Sequence, residues 1–125
     1  MSVYVWGSNN NQQLVGQKGL HCYAPSAAST DQFGGQEPVQ IAAGDGHTLV
    51  LCDSGDIFSF GRNVEGQLGH AGSVSTERQK KNKKSNSNVD NVKIVAGLEH
   101  ETVVAIAAGA LTSYAITSAG EVYHW

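Results

Sequence analysis

The chain repeats itself in Ile41-Ala-Ala-Gly-Asp-Gly-His-Thr-Leu-Val-Leu-Cys-Asp-Ser-Gly-Asp-Ile-Phe-Ser-Phe60 and Ile106-Ala-Ala-Gly-Ala-Leu-Thr-Ser-Tyr-Ala-Ile-Thr-Ser-Ala-Gly-Glu-Val-Tyr-His-Trp125, whose matching residues lie 65 positions apart. A partial third copy, Val3 to Asn9, matches Ile57 to Asn63 at a spacing of 54. Self-similarity at such spacings is typical of proteins built from stacked supersecondary units, none of which buries its faces alone. The function is therefore expected on a surface shared between units.

The units are predicted to be antiparallel β-sheets. Helical periodicity is weak, and glycine follows every apolar run closely. His47 to Cys52 and Thr112 to Thr117 are predicted strands, and the first is nearly apolar on both alternating faces, as in a strand covered on both sides. Asp53-Ser-Gly55 and Ser118-Ala-Gly120 are short links in which glycine can take the positive φ of a tight hairpin.

Two further strands are expected in each unit. Ile41-Ala-Ala-Gly44 and Ile106-Ala-Ala-Gly109 end in the smallest side chains, which suits a crowded axis where sheets converge. Val92 to Val95 is the best candidate for an outer strand, and we assign it to the later unit. Three or four antiparallel strands per unit, stacked face to face, are the blades of a β-propeller.

The predicted fold class is therefore all-β, with propeller blades of antiparallel strands. We divide the chain into a partial first blade and linker (1–38), a central repeat (39–68), a basic low-complexity insert (69–91) and a following, truncated repeat (92–125). Because such architectures need about three or more repeats for stability, we expect this chain to be part of a larger ring in a longer protein.

The sequence from Ile41 to Gly69 closely resembles the repeat of the regulator of chromosome condensation family, with its Gly-x-x-His loop and its Gly-Gln-Leu-Gly ending. The resemblance implies a seven-bladed propeller. The flanking copies depart from the pattern, because Gln12 and Val15 replace two glycines and Ala110-Leu-Thr112 replaces Asp45-Gly-His47. The chain also ends at Trp125, where the pattern continues with glycine. WD-type and kelch repeats fit less well, since there is no Trp-Asp dipeptide and only one diglycine.

Charge is distributed unevenly along the chain. The net charge is −3, but Arg78, Lys80, Lys81, Lys83 and Lys84 form one run, which leaves the rest of the chain at −8. An acidic body repels nucleic acid and favours basic protein surfaces as partners. The start lacks the features of a signal peptide and no run is long enough for a membrane helix, so we expect a cytoplasmic or nuclear protein with no membrane partner.

No motif for covalent chemistry is present. The chain lacks a nucleophile elbow and a P-loop, and its five histidines show no metal-ligand spacing, so we expect no enzyme activity, no cofactor and no metal. Gly61 to Gly69 is interpreted as a blade turn in which Asn63 and Gln67 bond backbone groups, not as a phosphate loop. Cys22 and Cys52 are expected to be free thiols.

Asp45 and His47 are the candidate partner-binding residues. In the resembled family the Gly-x-x-His loops lie at one end of the central channel, where they can touch a small GTPase. The alternative is structural: His47 could hydrogen-bond the backbone of a neighbouring blade, and Asp45 could shape the turn. The basic run could be a nuclear-localisation signal, a nucleic-acid contact or a solvated loop. Trp6, Phe60 and Trp125 share one repeat position and are expected to pack between sheets.

The favoured function is a non-enzymatic protein–protein interaction module whose loop ends present an acidic surface. The alternatives are guanine nucleotide exchange on a small Ran-like GTPase, which the family resemblance implies, and chromatin association through the basic run.

Overall fold

A computed structural model of the chain describes residues 2–17, 19–70 and 92–125. These residues form three antiparallel sheets, so the predicted all-β class is confirmed. The described part of the chain contains no helix long and apolar enough to cross a membrane. Its single helical element is a 3₁₀ turn, Thr30–Phe33, which buries the Phe33 ring between the first two sheets.

The first sheet consists of strands β1 (Val3–Ser8) and β2 (His21–Ala28). Their register shifts between Val5 and Gly7, which marks a bulge. Pro25 lies inside β2, and it is tolerated there because β2 is an edge strand of this sheet and need not donate a hydrogen bond on its outer side.

The central sheet has four strands in sequence order: β3 (Pro38–Ala43), β4 (His47–Cys52), β5 (Ile57–Gly61) and β6 (Lys93–Ile94). The strand predicted from His47 to Cys52 is confirmed, and it is buried along nearly all its length. Gly55 links β4 to β5 with a φ of 91°, the left-handed conformation predicted for that hairpin.

The last sheet has three strands: β7 (Val103–Ala108), β8 (Ser113–Thr117) and β9 (Val122–His124). Burial alternates strictly along β8, because one of its faces packs on the central sheet and the other is open. The predicted strand there begins at Ser113, one residue later than expected, and Gly120 shapes the following hairpin with a φ of 83°.

The outer strand lies in a different sheet from the one predicted. Lys93–Ile94 pairs with Phe58 and Ser59 of β5, so it completes the central sheet instead of opening the later unit. The assignment of Val92 to Val95 to the later unit was therefore wrong. The physical reason is that the chain leaves β5, passes through the basic insert and returns to the same sheet edge.

Two apolar cores hold the sheets together. Val50, Phe58 and Phe60 face the first sheet, where they pack on Val3 and Val5. On the opposite face, Leu49, Leu51 and Ile57 contact the last sheet, in a core that also contains Val103, Ile106 and Ala115. Because side chains alternate along a strand, one sheet serves both cores, and each buried Leu or Ile side chain stabilises the contact by about 1.5–3 kcal/mol.

Candidate functional site: the loop face

Four connections meet at one end of the sheets, and together they form what we call the loop face: residues 10–11, 45–46, 62–65 and 110–111. The backbone N–H of Asp45 donates to Ala110 O at 3.3 Å, and that of Arg62 donates to Gly46 O at 2.8 Å. A Cβ on Gly46 would lie 2.8 Å from Asn11 Nδ2, so glycine permits the close approach of the first connection. The loop face therefore spans all three sheets.

Asp45 lies at the centre of the loop face with an exposed side chain. Its loop has little freedom, because Gly44 N–H donates to His47 O at 2.9 Å and closes a tight turn. A Cβ on Gly44 would lie 2.4 Å from Gly109 O, which leaves no room for a side chain between the central and last sheets. The sequence prediction that places Asp45 on a surface loop agrees with this geometry.

His47 is placed differently from Asp45, although the two are close in sequence. Its ring is only 1 % exposed, and Nε2 lies 3.0 Å from Ser113 Oγ of the last sheet. Burial lowers the pKa of His47, while the Thr112 backbone and the charge of Asp45 act in the opposite direction. His47 thus contacts the neighbouring sheet, as the structural alternative expected, but its bond is to the Ser113 hydroxyl and not to a backbone atom. The ring is buried, so a direct contact of His47 with a partner stays a prediction.

The turn after β5 is built by side chains that bond the backbone. Asn63 Oδ1 accepts from Leu68 N at 3.0 Å, and Gln67 Oε1 accepts from Glu65 N at 3.0 Å. The interpretation of this segment as a blade turn is confirmed. Arg62 Nη2 donates to Glu65 Oε1 at 2.8 Å. Burial alone would raise the pKa of Glu65, but the hydrogen bonds from Gln67 and Arg62 outweigh it and hold this pKa below its usual value.

The equivalent turn after β1 keeps this geometry without its glycines. Asn9 Oδ1 accepts from Leu14 N and Gln13 Oε1 accepts from Asn11 N, both at 2.9 Å. Gln12, which replaces Gly66, takes a φ of 60°, a left-handed conformation that costs a non-glycine residue about 1–2 kcal/mol. The hydrogen bonds of this turn thus hold Gln12 in an unfavourable backbone conformation.

Ser113 was not singled out by the sequence prediction, and the bond it forms with the Gln67 backbone was not predicted. The Ser113 hydroxyl donates to Gln67 O at 2.6 Å, and both residues are fully buried. The available signal was the alignment at 65 positions, which places a hydroxyl residue, Thr48 or Ser113, at the same point of both copies. Thr48 makes the corresponding bond to Gln13 O at 3.1 Å.

The acidic residues are concentrated at the other end of the sheets. The loop face carries Asp45 and a Glu65 that pairs with Arg62, whereas the hairpin end carries carboxylates from two sheets: Glu37, Asp53, Asp56, Glu101 and Glu121. The Tyr123 hydroxyl donates to Glu121 at 2.9 Å and lies 3.2 Å from Glu101. The bond to Glu121, burial and the second carboxylate together raise the pKa of Tyr123 to about 12. The acidic surface expected at the loop ends is therefore more pronounced at the hairpin end.

The basic residues predicted as a possible localisation signal or nucleic-acid contact cannot be placed. Arg78, Lys80, Lys81, Lys83 and Lys84 lie outside the described residues, so their role stays a prediction. Within the described part of the chain, no group of three or more His, Cys, Asp and Glu side chains could hold a metal ion. Cys22 and Cys52 are free, and burial, assisted by Asp53 and Asp56, raises the pKa of the Cys52 thiol to about 11.

The aromatic side chains at the repeated position, Trp6, Phe60 and Trp125, are buried to different extents in the three sheets. Phe60 is buried in the core between the first and central sheets, and Trp125 packs partly against the core between the central and last sheets, as expected for packing residues. Trp6 is 59 % exposed, because the part of β1 that carries it has no sheet on its outer side among the described residues. Together with Tyr4, Ile41 and Phe60 it lines a cavity of about 200 Å³ at the edge of β1.

Comparison with known proteins gives concordant matches. The model of the regulator of chromosome condensation (RCC1) repeat matches residues 2–51 and 54–116, and a second model of the same repeat matches residues 39–67. The mitochondrial RCC1 domain-containing protein RUG3 of Arabidopsis thaliana is 30 % identical over 126 residues, which cover 98 % of this chain and 24 % of RUG3.

Solved structures share the fold. Human WBSCR16 is 27 % identical with a TM-score of 0.75, over 97 % of this chain and 29 % of that protein. Prp20p of Saccharomyces cerevisiae, studied with its binding to Gsp1p and histones, is 24 % identical with a TM-score of 0.71, over 98 % of this chain and 27 % of Prp20p. The chain thus spans less than a third of the length of each of these relatives. With two matched repeats covering most of its length, the chain belongs to the regulator of chromosome condensation (RCC1) repeat family, whose β-propeller blades its sheets form.

Proposed function

We propose that this chain is part of a non-enzymatic protein–protein interaction module in which the loop face binds a protein partner. The observation that carries the proposal is the presentation of Asp45: its side chain is exposed, while its loop is bonded to the last sheet and closed by Gly44. A carboxylate on a preformed loop binds with little loss of conformational entropy.

The charge of the loop face suggests the chemistry of the partner. Glu65 is already paired with Arg62, so Asp45 is the carboxylate of this face without a cationic side chain bonded to it among the described residues. A basic side chain of a partner would complement it. The more acidic hairpin end is the competing surface for a basic partner, and the experiment must separate the two.

The test compares two aspartates at opposite ends of β4. In the full-length protein, cross-linking and mass spectrometry identify partners, and titration calorimetry then measures their Kd. Asp45→Ala should weaken binding about tenfold, since a lost contact of this kind costs about 1–2 kcal/mol. Asp53→Ala, an exposed aspartate of the hairpin end, is the matched control and should leave Kd unchanged. Loss of binding in Asp53→Ala alone would assign recognition to the hairpin end.

A second candidate function is guanine nucleotide exchange on a small GTPase. Its support is the similarity to Prp20p, whose binding to Gsp1p is part of that structure's subject. Release of a fluorescent guanine nucleotide from a panel of small GTPases tests this function with the full-length protein and with Asp45→Ala. Accelerated release that Asp45→Ala reduces supports exchange, whereas unchanged release from every GTPase excludes it in favour of a binding module.

A chromatin role depends on the basic run, and histone binding is named for Prp20p alone. DNA retention at low salt should disappear when residues 78–84 are deleted, because neutralisation of phosphates by clustered Lys and Arg makes binding salt-dependent. A protein that is not retained at low salt has no such role through this run.

A further inference from the structure

We propose that His47, Ser113 and Gln67 form a directed hydrogen-bond relay that positions the Asp45 loop, so that His47 and Ser113 are positioning residues of the loop face. The relay crosses from the central sheet to the last sheet and returns to the turn after β5. Its consequence for partner binding rests on the proposed function, whereas the relay itself does not.

The direction of the relay follows from a count of protons. Ser113 Oγ lies 2.6 Å from Gln67 O and 3.0 Å from His47 Nε2. A backbone carbonyl oxygen can only accept, so the single hydroxyl proton of Ser113 lies toward Gln67 O. Ser113 Oγ must then accept from His47, and Nε2 is the ring nitrogen that carries the proton.

The environment of His47 keeps the ring in one state. The side chain is 1 % exposed, and burial lowers the pKa of His47, while the Thr112 backbone acts in the opposite direction. Because Nε2 carries the proton toward Ser113, Nδ1 of the neutral ring carries none. Asp45 is the charged group whose field reaches the ring among the described residues. The structure therefore predicts a single neutral tautomer, Nε2–H, because the Nδ1–H tautomer would place two lone pairs against each other at Ser113.

A hydroxyl group that donates to a carbonyl of a turn occurs at two other places in the described part of the chain, and one of them also has a histidine. Thr48 Oγ1 donates to Gln13 O at 3.1 Å, which joins the central sheet to the turn after β1 at the matching repeat positions. Ser59 Oγ donates to Leu68 O at 2.6 Å and lies 2.8 Å from His70 Nε2, so the same proton count applies. The hydroxyls of Ser113, from the last sheet, and Ser59, from the central sheet, thus bond the consecutive carbonyls of Gln67 and Leu68 in one turn.

The relay reaches Asp45 through the short loop before β4. His47 is fixed at its ring by Ser113 and at its carbonyl by Gly44 N–H, at 2.9 Å. Only Asp45 and Gly46 lie between Gly44 and His47 in the chain. Their backbone bonds, from Asp45 N to Ala110 O and from Arg62 N to Gly46 O, complete the loop. Removal of the Ser113 hydroxyl leaves a buried Nε2–H without an acceptor, a loss that should loosen this loop first.

The tautomer is tested by nitrogen NMR of the full-length protein labelled at histidine. The expected result for His47, whose signals are identified by their loss in His47→Gln, is a neutral ring with a protonated Nε2 and an unprotonated Nδ1. These signals should change in Ser113→Ala and be retained in Ser113→Thr. Threonine keeps the hydroxyl and is the residue found at the equivalent position 48. A protonated Nδ1 on His47 in the unmodified protein would overturn the relay.

The positioning role is tested by amide hydrogen exchange. In Ser113→Ala, exchange of the Asp45 amide should accelerate about tenfold or more, since a buried donor is left unpaired. The Gly120 amide, bonded to Thr117 O at the hairpin end, should change little. Ser118→Ala, which removes an exposed serine of that hairpin, is the control and should alter neither amide. An equal acceleration at both amides, or none at Asp45, would refute a local role.

Binding measurements connect the relay to the proposed function and keep the two separable. If Asp45→Ala weakens partner binding, Ser113→Ala should weaken it as well, and Ser113→Thr should restore it. If Asp45→Ala leaves binding unchanged, the proposed function fails, while the tautomer and exchange results still decide the relay.

Discussion

At the residue scale, the buried neutral ring of His47 makes stability depend on pH. Its pKa is below the usual 6.5 in the folded protein, so the unfolded chain binds a proton first as the pH falls. Protonation of the unfolded state favours unfolding, and the contribution of His47 is therefore complete above pH 6.5 and decreases below it. We expect the free energy of unfolding to decline as the pH falls below 6.5, until it passes the lowered pKa of the folded protein.

Denaturant unfolding at several pH values measures this decline, with His47→Gln as the matched variant. A glutamine amide can still donate to Ser113 but does not titrate, so the slope against pH should be smaller by up to one proton, or about 1.4 kcal/mol per pH unit. An identical slope in both proteins would show that His47 is not the residue responsible.

Gln12 offers a gain in stability. It holds a φ of 60° in a turn where its repeat equivalent, Gly66, has a φ of 82°. Glycine relieves the left-handed strain of about 1–2 kcal/mol but adds entropy to the unfolded chain, so Gln12→Gly should stabilise by about 0.5 kcal/mol. Gly66→Gln, the reverse change, should destabilise, and thermal unfolding of both variants tests the pair. A lower Tm for Gln12→Gly would contradict the strain argument.

At the scale of elements, Gly44 sets the distance between β3 and the loop before β8. A methyl group there would meet Gly109 O at 2.4 Å and the His47 ring at 2.3 Å, so either the sheets separate or the ring moves. Gly44→Ala should destabilise by about 2 kcal/mol or more in denaturant unfolding. Gly19→Ala, where the nearest atom would lie at 3.5 Å, should cost less than about 1 kcal/mol. Similar losses in both variants would disprove the close-contact explanation.

The sequence predicted the repeated strands, which have a clear apolar pattern or end in Ile-Ala-Ala-Gly, namely β3, β4, β7 and β8, together with the glycine hairpins that follow β4 and β8. Strand β2 was missed, because Pro25 and the bulge remove the alternation that identifies a strand. The place of β6 could not be read from a two-residue element that follows a long insert. Edge strands depend on which neighbour offers a free edge, and that is a property of the folded sheet.

The sequence predicted where the Asp45 loop lies, but not the hydrogen bonds between sheets that hold it. The loop that carries Asp45 follows from the repeat pattern, whereas the bond from Ser113 to Gln67 O joins residues 46 positions apart. Two hydroxyl residues at one repeat position were visible, yet only the folded sheets show which carbonyl each one reaches. Local chemistry was therefore predictable, and contacts between sheets were not.

At the scale of the whole molecule, the sequence repeats and the sheets are out of phase. The matched repeat 2–51 contains β1 and β2 of the first sheet and β3 and β4 of the central one, and the repeat 54–116 likewise supplies two adjacent sheets. Each repeat thus ties neighbouring sheets together covalently. The central sheet takes β3 and β4 from the first matched repeat and β5 and β6 from the second, so this sheet forms only when both repeats fold together.

The open face of the last sheet gives the final prediction. Tyr114, Ile116 and Val122 are 38 %, 42 % and 62 % exposed, although their repeat equivalents Leu49, Leu51 and Ile57 form the core against a following sheet. In a complete RCC1-type protein we expect a further sheet to cover this face. The 125-residue chain produced alone should therefore bind a hydrophobic dye.

Replacement of all three residues by threonine should lower that dye fluorescence, because the apolar patch is then interrupted, while the exposed Tyr4 and Trp6 of β1 account for the fluorescence that remains. The control replaces Leu20 and Val64, which are also exposed but lie outside the open face, and it should retain the fluorescence. In the full-length protein the same triple change should instead lower stability by about 3 kcal/mol or more, since it would place hydroxyl groups in a core between sheets. A full-length protein that tolerates the change would show that no sheet packs there.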